Sequence, residues 1–453
     1  MALDRREFLK AAGVQVGILA VGGCAARSPG ALSVGIPAIG RNLPDVAVIG
    51  AGAFGGWTAF HLRRMGASVV LVDQYGPGNS RATSGDETRG IRSSYAEREL
   101  WVRLANEAID RWMEWEEEWA RPFKMHLFFN TGDLILRADP EDRFIVNNRA
   151  SWDKLGIPYE VLSIDEVRYR WPQINVEGMN AALYEPRAGV ARARRSCEVV
   201  AESFRQSGGN LVIAKATLGP RSSGRLDHIV LDGKESLSAG QYVFACGPWL
   251  PKVLPEVMED RLRTPLGRVI YFGTPPGDER FTFPNLPSFN FPGVTGWPAL
   301  GPDNRGFRVR GGSRRRAEAQ EGAQEPREPP PRPPSEFDPD LSVRWVPPEA
   351  QEGPRAFVEE RFPDLADAPI VATYACHYES SVDRNPIVDR YPGLDNVWIA
   401  GGGSAEGFKL GPVIGEYIAR RVLGRRTDPV LDAEFRLKEE KFEPTQRFED
   451  FGG

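Results

Sequence analysis

The run Gly50-Ala51-Gly52-Ala53-Phe54-Gly55 constrains this chain more than any other feature in it. The apolar stretch Asp45-Val46-Ala47-Val48-Ile49 leads into it, residues 56–65 read as a helix, and Ser68-Val69-Val70-Leu71-Val72 ends at Asp73. Strand, glycines, helix, strand and acid in that order make a βαβ dinucleotide-binding unit. Gly50 permits a tight turn, Gly52 lets backbone approach a pyrophosphate, and Gly55 lets helix and strand pack closely. The helix N-terminus turns unpaired N–H groups and a positive dipole end toward phosphates. Asp73 stands where a carboxylate would meet ribose hydroxyls. The unit alone does not choose between nicotinamide and flavin dinucleotides.

The rest of the chain narrows that choice. Two further apolar runs end in glycine turns far downstream: Gln241-Tyr242-Val243-Phe244-Ala245-Cys246-Gly247-Pro248-Trp249 and Asn396-Val397-Trp398-Ile399-Ala400-Gly401-Gly402-Gly403. A helix is expected over residues 411–423. Three such elements spread along the sequence imply one cofactor domain assembled from separated segments, with a substrate domain inserted between them.

Composition removes other classes. The net charge of −5 gives no nucleic-acid footprint. Cys24, Cys197, Cys246 and Cys376 are too scattered for a disulfide framework, and His61, His126, His228 and His377 show no ligand spacing, so no metal is expected. At the N-terminus, Arg5-Arg6 precedes Phe8-Leu9-Lys10 and an uncharged Gly/Ala-rich run over residues 11–26. That run is shorter than the roughly 20 apolar residues a membrane span requires. Residues 1–30 therefore read as a twin-arginine signal, with an exported, periplasmic or extracytoplasmic, enzyme as the expectation. Val21-Gly22-Gly23-Cys24 resembles a lipobox, so Cys24 is either a lipid anchor or a small residue near the cleavage site.

Several motifs then fall in register: Ser84-Gly85-Asp86-Glu87-Thr88-Arg89-Gly90-Ile91-Arg92, Thr131-Gly132-Asp133-Leu134, and Arg170-Trp171-Pro172 with Glu185-Pro186. The most specific are Cys376-His377-Tyr378-Glu379-Ser380-Ser381-Val382-Asp383 and Gly403-Ser404-Ala405-Glu406-Gly407-Phe408-Lys409. In these motifs, from about residue 45 to 424, the chain resembles the sarcosine oxidase branch of the D-amino acid oxidase-like FAD oxidoreductases.

The resemblance implies an α/β fold: a discontinuous Rossmann-type FAD domain (44–97, 175–255, 365–425) and an inserted α+β substrate domain on a mainly antiparallel sheet (98–174, 256–364). A tail follows over 426–453. It also implies that FAD meets Gly50, Gly52, Ala53, Phe54, Gly55 and Asp73 in the βαβ unit, then Gln74, Ser84, Thr88 and Arg89 just beyond it. Gly247, Trp249, Gly402, Gly403, Gly407, Phe408 and Lys409 would complete the site. Cys376 matches a cysteine that forms a thioether to the flavin; the other reading is a small buried cysteine. Arg92 and Lys409 match a pair that holds a substrate carboxylate, a task suited to a guanidinium fork and an ammonium. As surface or phosphate-side charges they would do something else. The implied reaction is oxidation of a C–N bond in a small amino acid or N-substituted amine, with oxygen or a quinone as acceptor.

The pattern also departs from that branch. A lysine kept beside the flavin for oxygen use is replaced by Arg308, in Gly306-Phe307-Arg308-Val309, and Thr295 and Gly312 fall nearest to a missing pocket tyrosine and histidine. Residues 313–335 are almost wholly Arg, Glu, Gln, Ala and Pro, a composition expected to stay solvated and disordered.

Overall fold

A computed structural model describes residues 43–301, 305–312 and 334–443. The expected signal segment, Cys24 and residues 313–333 of the polar insertion lie outside the described residues.

A six-stranded sheet carries the cofactor side. Its strands, in spatial order, are Ile387–Arg390, Val397–Gly401, Gln241–Phe244, Val46–Ile49, Val69–Asp73 and Asn210–Ile213. All neighbours are parallel except the first pair. Val46, Ala47, Val48 and Ile49 are all buried, as an inner strand of a sheet covered on both faces requires. Against it lies the helix Ala53–Arg64, packed between Gly407–Val422 and Ala193–Gln206. Gly411 and Gly415 let the C-terminal helix approach Trp57: an added Cβ would stand 2.6 Å from Trp57 Cδ1 and 2.4 Å from its Cβ.

Both helices start earlier than expected. The first begins at Ala53 rather than 56, directly after the turn glycines. The second spans Gly407–Val422, so Pro412 sits inside it instead of opening it. Gly407 packs against Phe54, where a Cβ would meet the ring at 3.1 Å, and Trp112 Nε1 donates to the Lys409 carbonyl at 2.8 Å. These contacts anchor the turn that a Gly-Pro signal places outside the helix.

An eight-stranded sheet builds the other side. Its order is Ile370–His377, Leu266–Phe272, Phe307–Gly311, Val294–Trp297, Ser288–Phe291, Asp133–Arg137, Ala181–Glu185 and Glu160–Leu162. It is antiparallel save where Ser288–Phe291 meets Asp133–Arg137. Leu134, Leu136, Phe289, Phe307 and Phe362 fill its core. Helix Glu99–Phe123 places Trp112, Trp115 and Trp119 on one buried face at helical spacing.

Two edges differ from the sequence reading. Pro334 and Ser335, assigned to the disordered insertion, open a short 3₁₀ turn over Pro334–Phe337. In the tail, Pro429–Glu434 is helical and Phe442 is buried, its N–H donating to the Asp260 carbonyl at 2.7 Å and its ring lying under Arg263. Leu431 and Phe435 of the same tail join the core as well, and burial of these apolar side chains draws a polar segment onto the body.

Candidate active site

The parallel strands end at a long cleft. Gly50 turns there with φ +105, and a Cβ on it would stand 2.3 Å from the Ala245 carbonyl oxygen. Gly55 is needed for packing, since a Cβ would reach the Gly50 carbonyl oxygen at 1.8 Å. Gly52 is different, because nothing lies within 4 Å of where its Cβ would be. Its side opens onto the cleft, leaving backbone exposed to an approaching phosphate. Asp73 is a structural hub: Oδ2 accepts from Ala51 N at 2.7 Å, and Oδ1 from Tyr75 N at 2.9 Å and Gly76 N at 2.7 Å. Burial raises its carboxyl against the pull of those three N–H groups.

The cleft is lined by Gly50, Gly52, Ala53, Phe54, Asp73 and Gln74 at one end. Ser84, Arg89, Gly247, Trp249, Gly403, Gly407 and Phe408 carry it onward. Three residues in the implied set line neither this cleft nor the chamber that adjoins it. Gly55 is under the turn, Thr88 Oγ1 accepts from Trp297 Nε1 at 3.0 Å, and Gly402 holds φ +70 with its carbonyl taking the Ser404 hydroxyl at 3.0 Å.

Thr83, Arg89, Tyr378 and Phe408 border both this cleft and a smaller chamber. Arg92, Arg308, Cys376 and Lys409 line that chamber. Four residues far apart in sequence thus meet at one end of the cleft. Cys376 Sγ lies 3.4 Å from Arg89 Nη2; burial pushes its thiol up while the guanidinium pulls it down. Lys409 Nζ donates to Glu406 Oε2 and, at 2.5 Å, to Tyr95 Oη, whose own proton goes to Glu406 at 2.8 Å. Burial alone would raise the Glu406 carboxyl, but Lys409 and Arg92 hold it well below the usual range. Thr295 lines the chamber, whereas Gly312, with φ +83, packs on the Gly353 backbone.

The geometry is that of a dinucleotide cleft ending in a reaction chamber lined by charged side chains. The family model described as DAO, FAD dependent oxidoreductase, matches residues 45–421. The chain belongs to this family. Its relatives include monomeric sarcosine oxidase from Bacillus sp. (strain B-0618), 26% identical over 402 residues, covering 85% of this chain and 93% of that one. Peroxisomal sarcosine oxidase of Homo sapiens is 26% identical, covering 88% and 96%. Among solved structures, L-proline dehydrogenase from P. horikoshii has a TM-score of 0.70 at 18% identity, covering 87% of this chain and 99% of that one.

In this FAD-dependent oxidoreductase, Arg308 is a buried cation held by an aromatic face. Its guanidinium lies 3.9 Å from the Trp297 ring centroid, its Nε is 3.9 Å from Asp86 Oδ2, and burial pushes its pKa down to about 10. Asp86 is fully buried, paired with Arg89 at 2.7 Å and accepting from Tyr271 Oη at 2.9 Å. Asp86, Glu406, Trp297 and Tyr95 were not among the site residues read from sequence. Asp86 and Glu406 sit inside the very motifs that carried the resemblance, so acids embedded between the recognised basic residues were the available signal. Trp297 and Tyr95 carried none, because only strand pairing brings Trp297 to the chamber and only the fold sets Tyr95 against Lys409 and Glu406.

Glu185 lies behind Arg92 and yields a pH prediction. It accepts from Ser93 N at 3.0 Å and Ser93 Oγ at 2.6 Å. Burial, with Asp133 adding to it against the Ser93 hydrogen bond, raises its pKa to about 7 from 4.5. Between those values the folded protein holds a proton that the unfolded chain has released, so stability falls as pH rises through that window. Glu185→Gln removes the loss. Thermal melts should show the variant gaining on wild type between pH 5 and pH 8, by at most about 3 kcal/mol. A difference that does not change with pH would mean that Glu185 is ionised throughout.

Proposed function

We propose that this flavoenzyme oxidises the C–N bond of a small amino acid or N-substituted amine to an imine, which water then hydrolyses, with electrons passing to oxygen. The observation that carries this reading is the junction of cleft and chamber, where Arg89, Cys376, Arg308, Arg92 and Glu406 converge. The names of the two relatives, both sarcosine oxidases, supply the reaction class. FAD, when bound along the cleft, would supply the acceptor for a hydride equivalent; the chain supplies position and electrostatics. Phe408 and Tyr378 wall the junction, and the chamber's charged side chains orient the substrate. Anaerobic mixing of the purified yellow protein with an amine panel should bleach it. A protein that binds FAD yet bleaches with no amine would be a non-catalytic flavin binder, and the reading would fall.

Arg308 favours a second reading of the acceptor, a quinone or carrier in place of oxygen, because a broad planar cation stacked on Trp297 stands in the chamber. Peroxide yield with and without an artificial acceptor separates the two. The flavin is further proposed to be joined to Cys376, whose sulfur is on the chamber wall beside Arg89. Acid precipitation should leave the colour with wild-type protein and release it from Cys376→Ala; freely extracted wild-type flavin would refute the bond. Export follows from Arg5-Arg6. Changing both to lysine should leave FAD-loaded protein in the cytoplasm, and undiminished export would refute the assignment. Lipid attachment at Cys24 is read by mass spectrometry of the membrane fraction.

A further inference from the structure

A line of aromatic rings runs from the cofactor cleft toward the surface. Phe408 borders the cleft and stacks on Trp112, with ring centroids 5.4 Å apart and 27° between the planes. Trp112 meets Trp57 at 5.9 Å, and Trp57 in turn meets Trp115 at 5.3 Å and stacks on Trp119 at 5.5 Å. Trp115 and Trp119 are 4.2 Å apart. All four tryptophans are buried, and the line ends just beneath the surface: the Arg64 guanidinium lies 5.3 Å from the Trp115 ring on a side chain that is 52% exposed. The substrate sheet fills its core differently, with the rings of Phe281, Phe289, Phe307, Phe357 and Phe362 against one another. Phenylalanine is thus enough where bulk alone is needed, and indole is far more easily oxidised than benzene.

The setting suits a positive charge that travels outward. Trp112 Nε1 donates to the Lys409 carbonyl at 2.8 Å and Trp115 Nε1 has no hydrogen-bond partner, so neither indole faces a base that would take its proton. His61, stacked on Trp57 at 5.9 Å, is kept neutral by burial, which lowers its pKa to about 4. At the outer end Glu114, Glu116, Glu117 and Glu118 flank Trp115 and Trp119 along the helix Glu99–Phe123, and Arg64 is itself paired with Glu118 at 3.7 Å. Carboxylates there stabilise a cation on the outer rings. We propose that Trp112, Trp57 and the Trp115–Trp119 pair conduct electrons from a thiol at the surface to light-excited FAD, so that the flavin is photoreduced with no amine present. The excited flavin takes one electron from Trp112; Trp57 refills Trp112, and the outer pair refills Trp57. A thiol then gives the outer pair one electron, releases its proton and becomes a thiyl radical. Two such cycles reduce the flavin by two electrons, the two protons reach it by way of solvent, and the two thiyl radicals join as a disulfide.

The test needs no substrate. FAD-loaded protein is held under blue light without oxygen, with dithiothreitol as the thiol, and the loss of flavin absorbance is timed. The double variant Trp115→Phe with Trp119→Phe keeps aromatic rings at both places and leaves Trp112 untouched. Its photoreduction should slow by on the order of tenfold, about 1.4 kcal/mol in the competition between outward transfer and return of the charge. Its dark spectrum and FAD content should stay those of wild type. Laser-flash spectra should show the tryptophan radical decaying sooner in this variant. An unchanged rate of photoreduction means that thiol enters the cleft or that Trp112 acts alone, and overturns the proposal. Should the double variant not fold, Arg64→Gln decides in its place, since it alters only an exposed side chain. Removing that cation from above Trp115 should speed photoreduction by roughly threefold, and a rate that does not rise overturns the proposal equally. Neither arm depends on which amine the enzyme oxidises.

Discussion

Gly52→Ala and Gly55→Ala are expected to fail in opposite ways. At Gly52 the backbone has φ −79 and ψ −162, which alanine adopts without strain, and nothing stands within 4 Å of the new methyl. The protein without cofactor should melt where wild type does or slightly higher, since replacing glycine at a compatible site restricts the unfolded chain. FAD has to approach that bare backbone, so its affinity should fall on the order of a hundredfold, about 2.7 kcal/mol. At Gly55 the methyl would lie 1.8 Å from the Gly50 carbonyl oxygen and 3.1 Å from Ala245 Cβ. Neither neighbour is a flexible side-chain end, so helix and strand must separate, at a cost of about 3 kcal/mol or more before any cofactor is added. Titration with FAD and melting without it, both in the Cys376→Ala background, separate the two effects. A Gly52→Ala protein that melts early, or a Gly55→Ala protein of normal stability, would falsify this division of roles.

The second large effect concerns Arg308 and the electron acceptor. A fixed positive charge near the reacting centre stabilises negative charge that develops as electrons leave for oxygen. Arg308 retains that charge at neutral pH even with its pKa pushed down to about 10 by burial. It presents it as a broad plane 3.9 Å above Trp297 and drawn toward Asp86, where a lysine would present a compact ammonium. Slow reoxidation by oxygen and faster reaction with a quinone or dye are expected. Arg308→Lys should raise the oxygen rate by on the order of tenfold, corresponding to about 1.4 kcal/mol of barrier. Stopped-flow reoxidation of photoreduced enzyme at known oxygen concentrations measures it. A wild type that already reacts quickly, or a lysine variant with no gain, would assign oxygen control to another residue.

Much of this protein is written in short local patterns. The strand and glycine turn ending in Gly52, the strand closing on Asp73, and the glycine turns after Phe244 and Gly401 are all set by neighbours within a few residues. Apolar runs bounded by glycine can be recognised without knowing what they pack against. Family membership and FAD use were legible for the same reason, since motif order is a linear property. Long-range packing is not linear. The helix that reaches back to Gly407 does so because Phe54 and Trp112 lie against its first turn, and both contacts join residues more than 290 positions apart. Phe442 and the turn at Pro334 likewise depend on partners that composition does not reveal.

The sharpest division runs through the chamber. Arg92, Arg308, Cys376 and Lys409 were nameable from motifs because residue type and spacing identify them. Whether each is free to meet a substrate depends on which counter-charge folding brings beside it. Glu406 holds Lys409, Asp86 and Trp297 hold Arg308, and Asp133 and Glu406 act on Arg92. A sequence records the charges along the chain; the pairing among them is a matter of distance in space, because electrostatic interaction depends on separation and burial and not on order along the backbone.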